Sequence, residues 1–118
     1  MVMITIAGIR NEYWRKKLGC GEIVPPRYAR LMVTRGALHH PQGENALREL
    51  LTCPPQTHPD INPWGECDLL KTVQGGETFY LKVDCYAATS GSAEEASCDP
   101  AVDEMTTRVY TCMLASEY

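Results

Sequence analysis

The stretch Glu66–Tyr86 restricts what this chain can fold into more than any other part of it. Two runs of strand-forming residues flank Gln74-Gly75-Gly76-Glu77: Glu66-Cys67-Asp68-Leu69-Leu70-Lys71-Thr72-Val73 before it and Thr78-Phe79-Tyr80-Leu81-Lys82-Val83-Asp84-Cys85-Tyr86 after it. A Gly-Gly pair takes positive φ without a Cβ clash, which is what a two-residue primed turn needs. The pattern predicts a β-hairpin in which Gln74 lies opposite Glu77. Side chains alternate between the faces of a strand, so this turn fixes every later pairing. Leu70, Thr72, Phe79, Leu81 and Val83 then share the core face. Cys67, Lys71, Tyr80, Lys82 and Asp84 share the other, with Cys67 opposite Asp84 and Lys82 one step along.

Upstream, Ile6, Ile9, Tyr13 and Lys17 recur at helical spacing beside Arg10, Trp14 and Leu18, predicting a helix from Ile4 to Leu18. Gly19 follows it, and the lysines fall in the last turn, where the helix dipole favours cations. Pro25-Pro26 breaks the chain before a strand over Tyr28–Thr34, with Leu31 and Val33 on its better-buried side. Gly36 ends that strand, and His39-His40-Pro41-Gln42-Gly43 reads as a turn. Leu47, Leu50 and Leu51 form one stripe of a helix from Glu44 to Cys53, stopped by Pro54-Pro55. The loop Gln56–Gly65 is expected at the surface, with Trp64 folded back on the core because an indole is costly to leave in water. Ala87–Ser97 reads as a mobile loop. Asp99-Pro100 then has the form of an N-cap followed by a first-turn proline. Val102, Met105, Val109, Cys112 and Met113 extend that signal to a helix from Pro100 to Ser116. The β-branched run Thr106-Thr107-Arg108-Val109 offers a strand as the alternative.

The expected fold is α+β: a small antiparallel sheet of about three strands with two or three helices on one face. At 118 residues the chain is expected to form a single domain, 1–118. Its 15 acidic and 11 basic residues leave a net charge of -4, which points away from a direct nucleic-acid binder with a basic stripe. The apolar start Met1–Ile9 is too short to span a membrane, and its basic residues follow the apolar patch, the reverse of a secretory signal. A cytoplasmic protein without a membrane partner is expected. In that compartment Cys20, Cys53, Cys67, Cys85, Cys98 and Cys112, with no C-x-x-C pair, read as reduced thiols.

Catalytic signals are thin. A cation beside Cys67, such as Lys82, would favour the thiolate, but Asp84 would oppose it, and an ion pair beside an inert cysteine is the plainer reading. His39, His40 and His58 with the cysteines lack the paired short spacings of a zinc site. Glu66, Asp68 and Asp84 have the chemistry of a divalent-metal cluster, yet the hairpin register sets Asp68 and Asp84 on opposite faces. No nucleotide or cofactor motif occurs, and no cofactor or metal is expected. Surface recognition needs none of these. Lys71, Tyr80, Lys82, Asp84 and Tyr86 make an aromatic and charged patch, and the acidic run containing Glu94, Glu95, Asp99, Asp103 and Glu104 would steer a basic partner toward it.

Several segments together resemble a family of short, functionally uncharacterised proteins of bacteria, plasmids and phages, a domain of unknown function. They are Asn62-Pro63-Trp64-Gly65-Glu66-Cys67-Asp68, Phe79-Tyr80-Leu81-Lys82-Val83-Asp84-Cys85-Tyr86 and Asp99-Pro100-Ala101-Val102. The ending Thr106-Thr107-Arg108-Val109-Tyr110-Thr111-Cys112-Met113-Leu114-Ala115-Ser116-Glu117-Tyr118 is the most distinctive of them. Cys67 stands where the family usually has histidine, Cys85 where it has an aromatic, and Asp103-Glu104-Met105 looks like an insertion. The resemblance implies a helix, strand, helix and hairpin, and a mobile-element origin. Together with the missing catalytic motifs, it leads to the expectation of an interaction module that binds and inhibits or modulates a host protein or complex, possible targets being CRISPR or restriction assemblies. A small hydrolase or nuclease using Glu66, Asp84 and the Cys67 position, or a metal or thiol-redox sensor, are the alternatives.

Overall fold

The structure is a computed structural model and describes residues 3–88 and 99–118. In chain order the elements are α1 (Ile6–Gly19), β1 (Ala29–Val33), α2 (Arg35–His39), α3 (Gly43–Thr52), β2 (Leu69–Gln74), β3 (Glu77–Ala87) and β4 (Thr106–Leu114). Single 3₁₀ turns at Asp103–Met105 and Ala115–Glu117 bracket β4. The strands form one sheet in the order β1-β4-β3-β2. It is α+β as expected, but the sheet is mixed: β1 runs parallel to β4, and the other neighbours are antiparallel.

The hairpin has the expected register. Gln74 pairs with Glu77, and Gly75 and Gly76 have φ of 59° and 80°, the two positive values a type I′ turn requires. Leu70, Phe79, Leu81 and Val83 are buried on one face, where they meet Leu50 and Leu51 of α3. Full burial of side chains of this size contributes about 1.5–3 kcal/mol each.

The terminal segment corrects the expectation of a helix. Thr106–Leu114 is a strand, and it lies between β1 and β3. Thr106, Arg108, Tyr110 and Cys112 alternate into the core, all fully buried. Two of these four inward residues are polar, so the true period of two is masked when apolar residues alone are counted. Thr106, Thr107, Val109 and Thr111 also lose rotamer freedom in a helix and fit a pleated surface. This fourth strand is the one missing from a count of about three.

Burying Arg108 requires partners, and α1 and the segment just before β4 supply them. The Arg108 Nε–H donates to Asn11 Oδ1 (2.8 Å), Nη1 to Asp103 Oδ1 (3.2 Å), and Nη2 to the Pro100 carbonyl. Arg10 pairs with the same Asp103 carboxylate. Asn11 also donates Nδ2–H to the Glu66 carbonyl (2.7 Å), and its own carbonyl accepts from the Tyr110 hydroxyl (2.5 Å). Burial acts to raise the Asp103 pKa, but the Arg10 hydrogen bond and the charges of Arg10 and Arg108 outweigh it and hold the carboxyl below its ordinary value. One turn on, Arg15 is fully buried in a bidentate pair with Glu12, at 2.7 and 2.5 Å. Its remaining N–H groups donate to the carbonyls of Leu50 (2.8 Å) and Cys53 (2.7 Å), capping the C-terminal end of α3.

These contacts turn α1 over. Its inner side carries Gly8, Asn11, Glu12 and Arg15, while the residues that set its period, Ile6, Ile9 and Tyr13, face water at 65%, 55% and 40% exposure. Gly8 sits so close to Gly65 that an added Cβ would stand 2.3 Å from the Gly65 carbonyl oxygen. Trp64 is a second correction: it is 79% exposed, and the loop anchors itself instead through Asn62, which is 1% exposed. The Asn62 amide satisfies the Cys67 backbone N–H (2.9 Å), a polar contact that an exposed loop needs more than a buried indole.

Glu12→Ala should lower unfolding free energy by about 3–5 kcal/mol in urea titration, because Arg15 is then a buried charge without its carboxylate. The exposed pair Glu44–Arg48 is the control, and Glu44→Ala should shift stability by less than about 0.5 kcal/mol.

Candidate protein-interaction surfaces

Helices α1 and α3 pack against the core face of the sheet, and no described helix covers the other face. Register places Lys71 beside Tyr80, and sets Tyr80, Lys82, Asp84 and Tyr86 of β3 against Met113, Thr111, Val109 and Thr107 of β4. Arg30 and Met32 of β1 continue the face past Val109 and Thr111. Five sequence-predicted residues, Lys71, Tyr80, Lys82, Asp84 and Tyr86, are therefore brought onto one surface. Lys82 Nζ lies 3.3 Å from Asp84 Oδ1, a same-strand ion pair. Tyr80 stacks edge-on with Tyr118 at 5.4 Å, and Tyr86 is 57% exposed.

Glu94, Glu95 and most of the predicted mobile loop lie outside the described residues; Ala87, its first residue, ends β3. Asp103 was expected to add to an acidic steering field. The structure commits it instead to Arg10 and Arg108, so its charge is neutralised inside the fold. The segment Asp103-Glu104-Met105, which reads as an insertion, thus carries the carboxylate that lets Arg108 be buried.

Cys67 does not join the outer face. The β2 ladder ends at Leu69–Lys82, and Cys67 turns away with φ of 54°, a left-handed conformation rare outside glycine. Its side chain is buried, with Asn62 Nδ2 3.4 Å from Sγ. Burial first, and the Glu12 charge second, push its pKa up, so the thiol stays protonated at neutral pH. The expected juxtaposition of Cys67 with Asp84 and Lys82 is not formed, and a nucleophilic role for that thiol loses its geometry. Glu66 is engaged through its backbone carbonyl with Asn11, and Asp68 through its carbonyl with the Val83 N–H (2.8 Å). His40 Nδ1 accepts from the Gln42 N–H and its Nε2 lies 3.6 Å from Glu77, while His58 stands beside Asp60. Among the described residues no three His, Cys, Asp or Glu side chains group as metal ligands.

A surface that sequence reasoning missed is the outer side of α1. Ile4, Ile9, Tyr13, Lys16, Cys20 and Pro55 line a shallow, mostly apolar cleft of about 470 Å³ there. The signal was present in the sequence: Asn11, Glu12 and Arg15 share one helical side and Ile6, Ile9 and Tyr13 another. Which side faces inward follows only once buried Arg108 and Tyr110 are known to need Asn11. No described helix is long and apolar enough to cross a membrane.

Alkylation mapping checks the thiol assignments. Of the described cysteines, exposed Cys20 should react first with iodoacetamide in the native protein, and buried Cys67 and Cys112 should resist until urea unfolds the chain. Burial pushes the Cys112 thiol up to about 11, which slows it further. Early labelling of Cys67 would restore it as a reactive centre.

Comparison with known proteins places this fold in a family. No curated protein and no solved structure matches the chain. The family model described as "Protein of unknown function (DUF3768)" matches residues 34–117, which take in the hairpin and β4 and leave α1 and β1 outside. The chain belongs to that family.

Proposed function

We propose that this chain is a protein-interaction module carried by a mobile element, which binds a host protein and inhibits or modulates it. A host defence assembly, CRISPR or restriction, is the sharpest form of the reading. One observation carries the binding half: the described helices lie on a single face of the sheet, and the other face holds Tyr80, Tyr86, Lys82 and Asp84 beside Met32 and Val109. Aromatic side chains bury large area at low entropic cost, and flanking charges select orientation, which is the composition of interface anchors. The mobile-element half rests on the resemblance of the terminal motif to plasmid- and phage-borne proteins. A hydrolase reading receives no support from the buried Cys67.

The test compares capture of host proteins by the wild-type chain and by a Tyr80→Ala, Lys82→Ala double variant with unchanged melting temperature. Specific captured proteins should be lost from the double variant and retained by Ile9→Ser, which alters the α1 surface instead. Equal capture by wild type and double variant would remove the sheet face from the proposal.

A further inference from the structure

The two edges of the sheet are treated differently. At the β2 edge the Gln56 side chain acts as a one-residue strand: Oε1 accepts from the Lys71 N–H (2.9 Å) and Nε2 donates to the Lys71 carbonyl (2.8 Å). An edge blunted this way cannot easily accept another strand. Among the described residues the β1 edge has no such cover. Tyr28 accepts from the Arg108 N–H (2.9 Å) and the Thr34 N–H donates to the Cys112 carbonyl (3.0 Å), so even-numbered residues of this strand face β4. Leu31 and Val33 therefore direct their backbone N–H and C=O groups outward, and these have no partner among the described residues. Leu31 and Met32 are also 36% and 57% exposed.

Charge identifies the occupant. Beside the edge is a cleft of about 700 Å³ lined by Arg27, Arg30, Met32, Tyr86, Val109 and Glu104, among others. Arg27 lies over the Tyr28 ring at 4.9 Å, and Arg30 Nε donates to the Pro26 carbonyl (3.0 Å); neither has a carboxylate partner among the described residues. A second copy of this chain is disfavoured, because two-fold pairing of β1 with itself gathers two sets of Arg27 and Arg30 along a five-residue strand. We infer that β1 takes up an extended acidic segment of another protein as a fifth strand, with the partner's acidic side chains on the Arg27–Arg30 side and its apolar ones against Leu31. Backbone pairing supplies the attachment, and the alternating side chains supply selectivity. The cleft shares Met32, Tyr86 and Val109 with the open sheet face, but Tyr80 and Lys82 do not line it, so the Tyr80→Ala, Lys82→Ala variant leaves this mode measurable.

The probe is the peptide acetyl-Val-Glu-Val-Glu-Val-Glu-amide, followed by amide NMR and hydrogen exchange on the full chain. It should protect the Leu31 and Val33 N–H groups from exchange. Replacing Glu by Lys in the peptide, or N-methylating its backbone, should abolish protection. Arg30→Glu should weaken binding by about tenfold or more. Leu31→Pro removes an edge donor that β4 does not use, at a position where proline is tolerated, and should abolish protection while the β4 amides remain slow. The inference is overturned if no exchange protection appears at Leu31 and Val33, if the Lys peptide binds as well, or if an N-methylated peptide binds equally. It is also overturned if sedimentation shows β1-dependent dimers, or if a single-stranded oligonucleotide occupies the arginines in preference to the acidic peptide.

Discussion

Asn11 is the joint between the first helix and the sheet, and the rest of the fold is arranged around what it satisfies. Its side chain accepts from Arg108 and donates to the Glu66 carbonyl, while its backbone carbonyl accepts from Tyr110. Arg108 is fully buried in the middle strand, where an unpaired guanidinium would be prohibitively costly. Asp103 neutralises it, and Arg10 closes the other side of that carboxylate. Once this network is in place, α1 must present its polar side inward. Arg15 and Glu12 complete that side against the end of α3.

The exposed apolar side of α1 follows from that constraint. A surface helix ordinarily turns its apolar stripe toward the core. Here Asn11 and Arg15 take inward positions and hydrogen-bond to β4, to the Glu66 carbonyl and to α3, beside Trp14 and Leu18 on the core, so Ile6, Ile9 and Tyr13 remain outside. The consequence for function is that exposed apolar residues lie on α1 and on the open sheet face as well as in loops, and none of them depends on a reactive side chain. The cysteine that drew attention in the sequence is enclosed by Asn62 and held neutral by its burial.

Local signals made much of this legible. Gly75-Gly76 determined the hairpin register because a primed turn leaves no freedom to slip, and the outer-face set Lys71, Tyr80, Lys82, Asp84 and Tyr86 followed from it. The prolines bounded α3 for equally local reasons. Long-range polar contacts were not legible. Thr106 and Arg108 look like solvent-facing residues in one dimension and are buried in three, so β4 reads as a helix from its apolar residues alone. Trp64 follows the same logic in reverse, since its apolar surface says nothing of Asn62 filling the inward position of that loop. Arg27 and Arg30 gain meaning only from β1 being an edge strand of the described sheet, which depends on β4 lying on its other side.

The central claim is that α1 is held with its polar side in. Comparing the urea unfolding free energies of Asn11→Leu and Ile9→Asn tests it most directly. Asn11→Leu makes the helix more apolar but leaves Arg108 Nε and the Glu66 carbonyl unpaired in the interior, and should cost about 2 kcal/mol or more. Ile9→Asn exchanges an exposed side chain and should change stability by less than about 0.5 kcal/mol. The reverse order, with Asn11→Leu tolerated and Ile9→Asn severely destabilising, would mean that α1 packs by its apolar stripe and that the buried network described here does not exist.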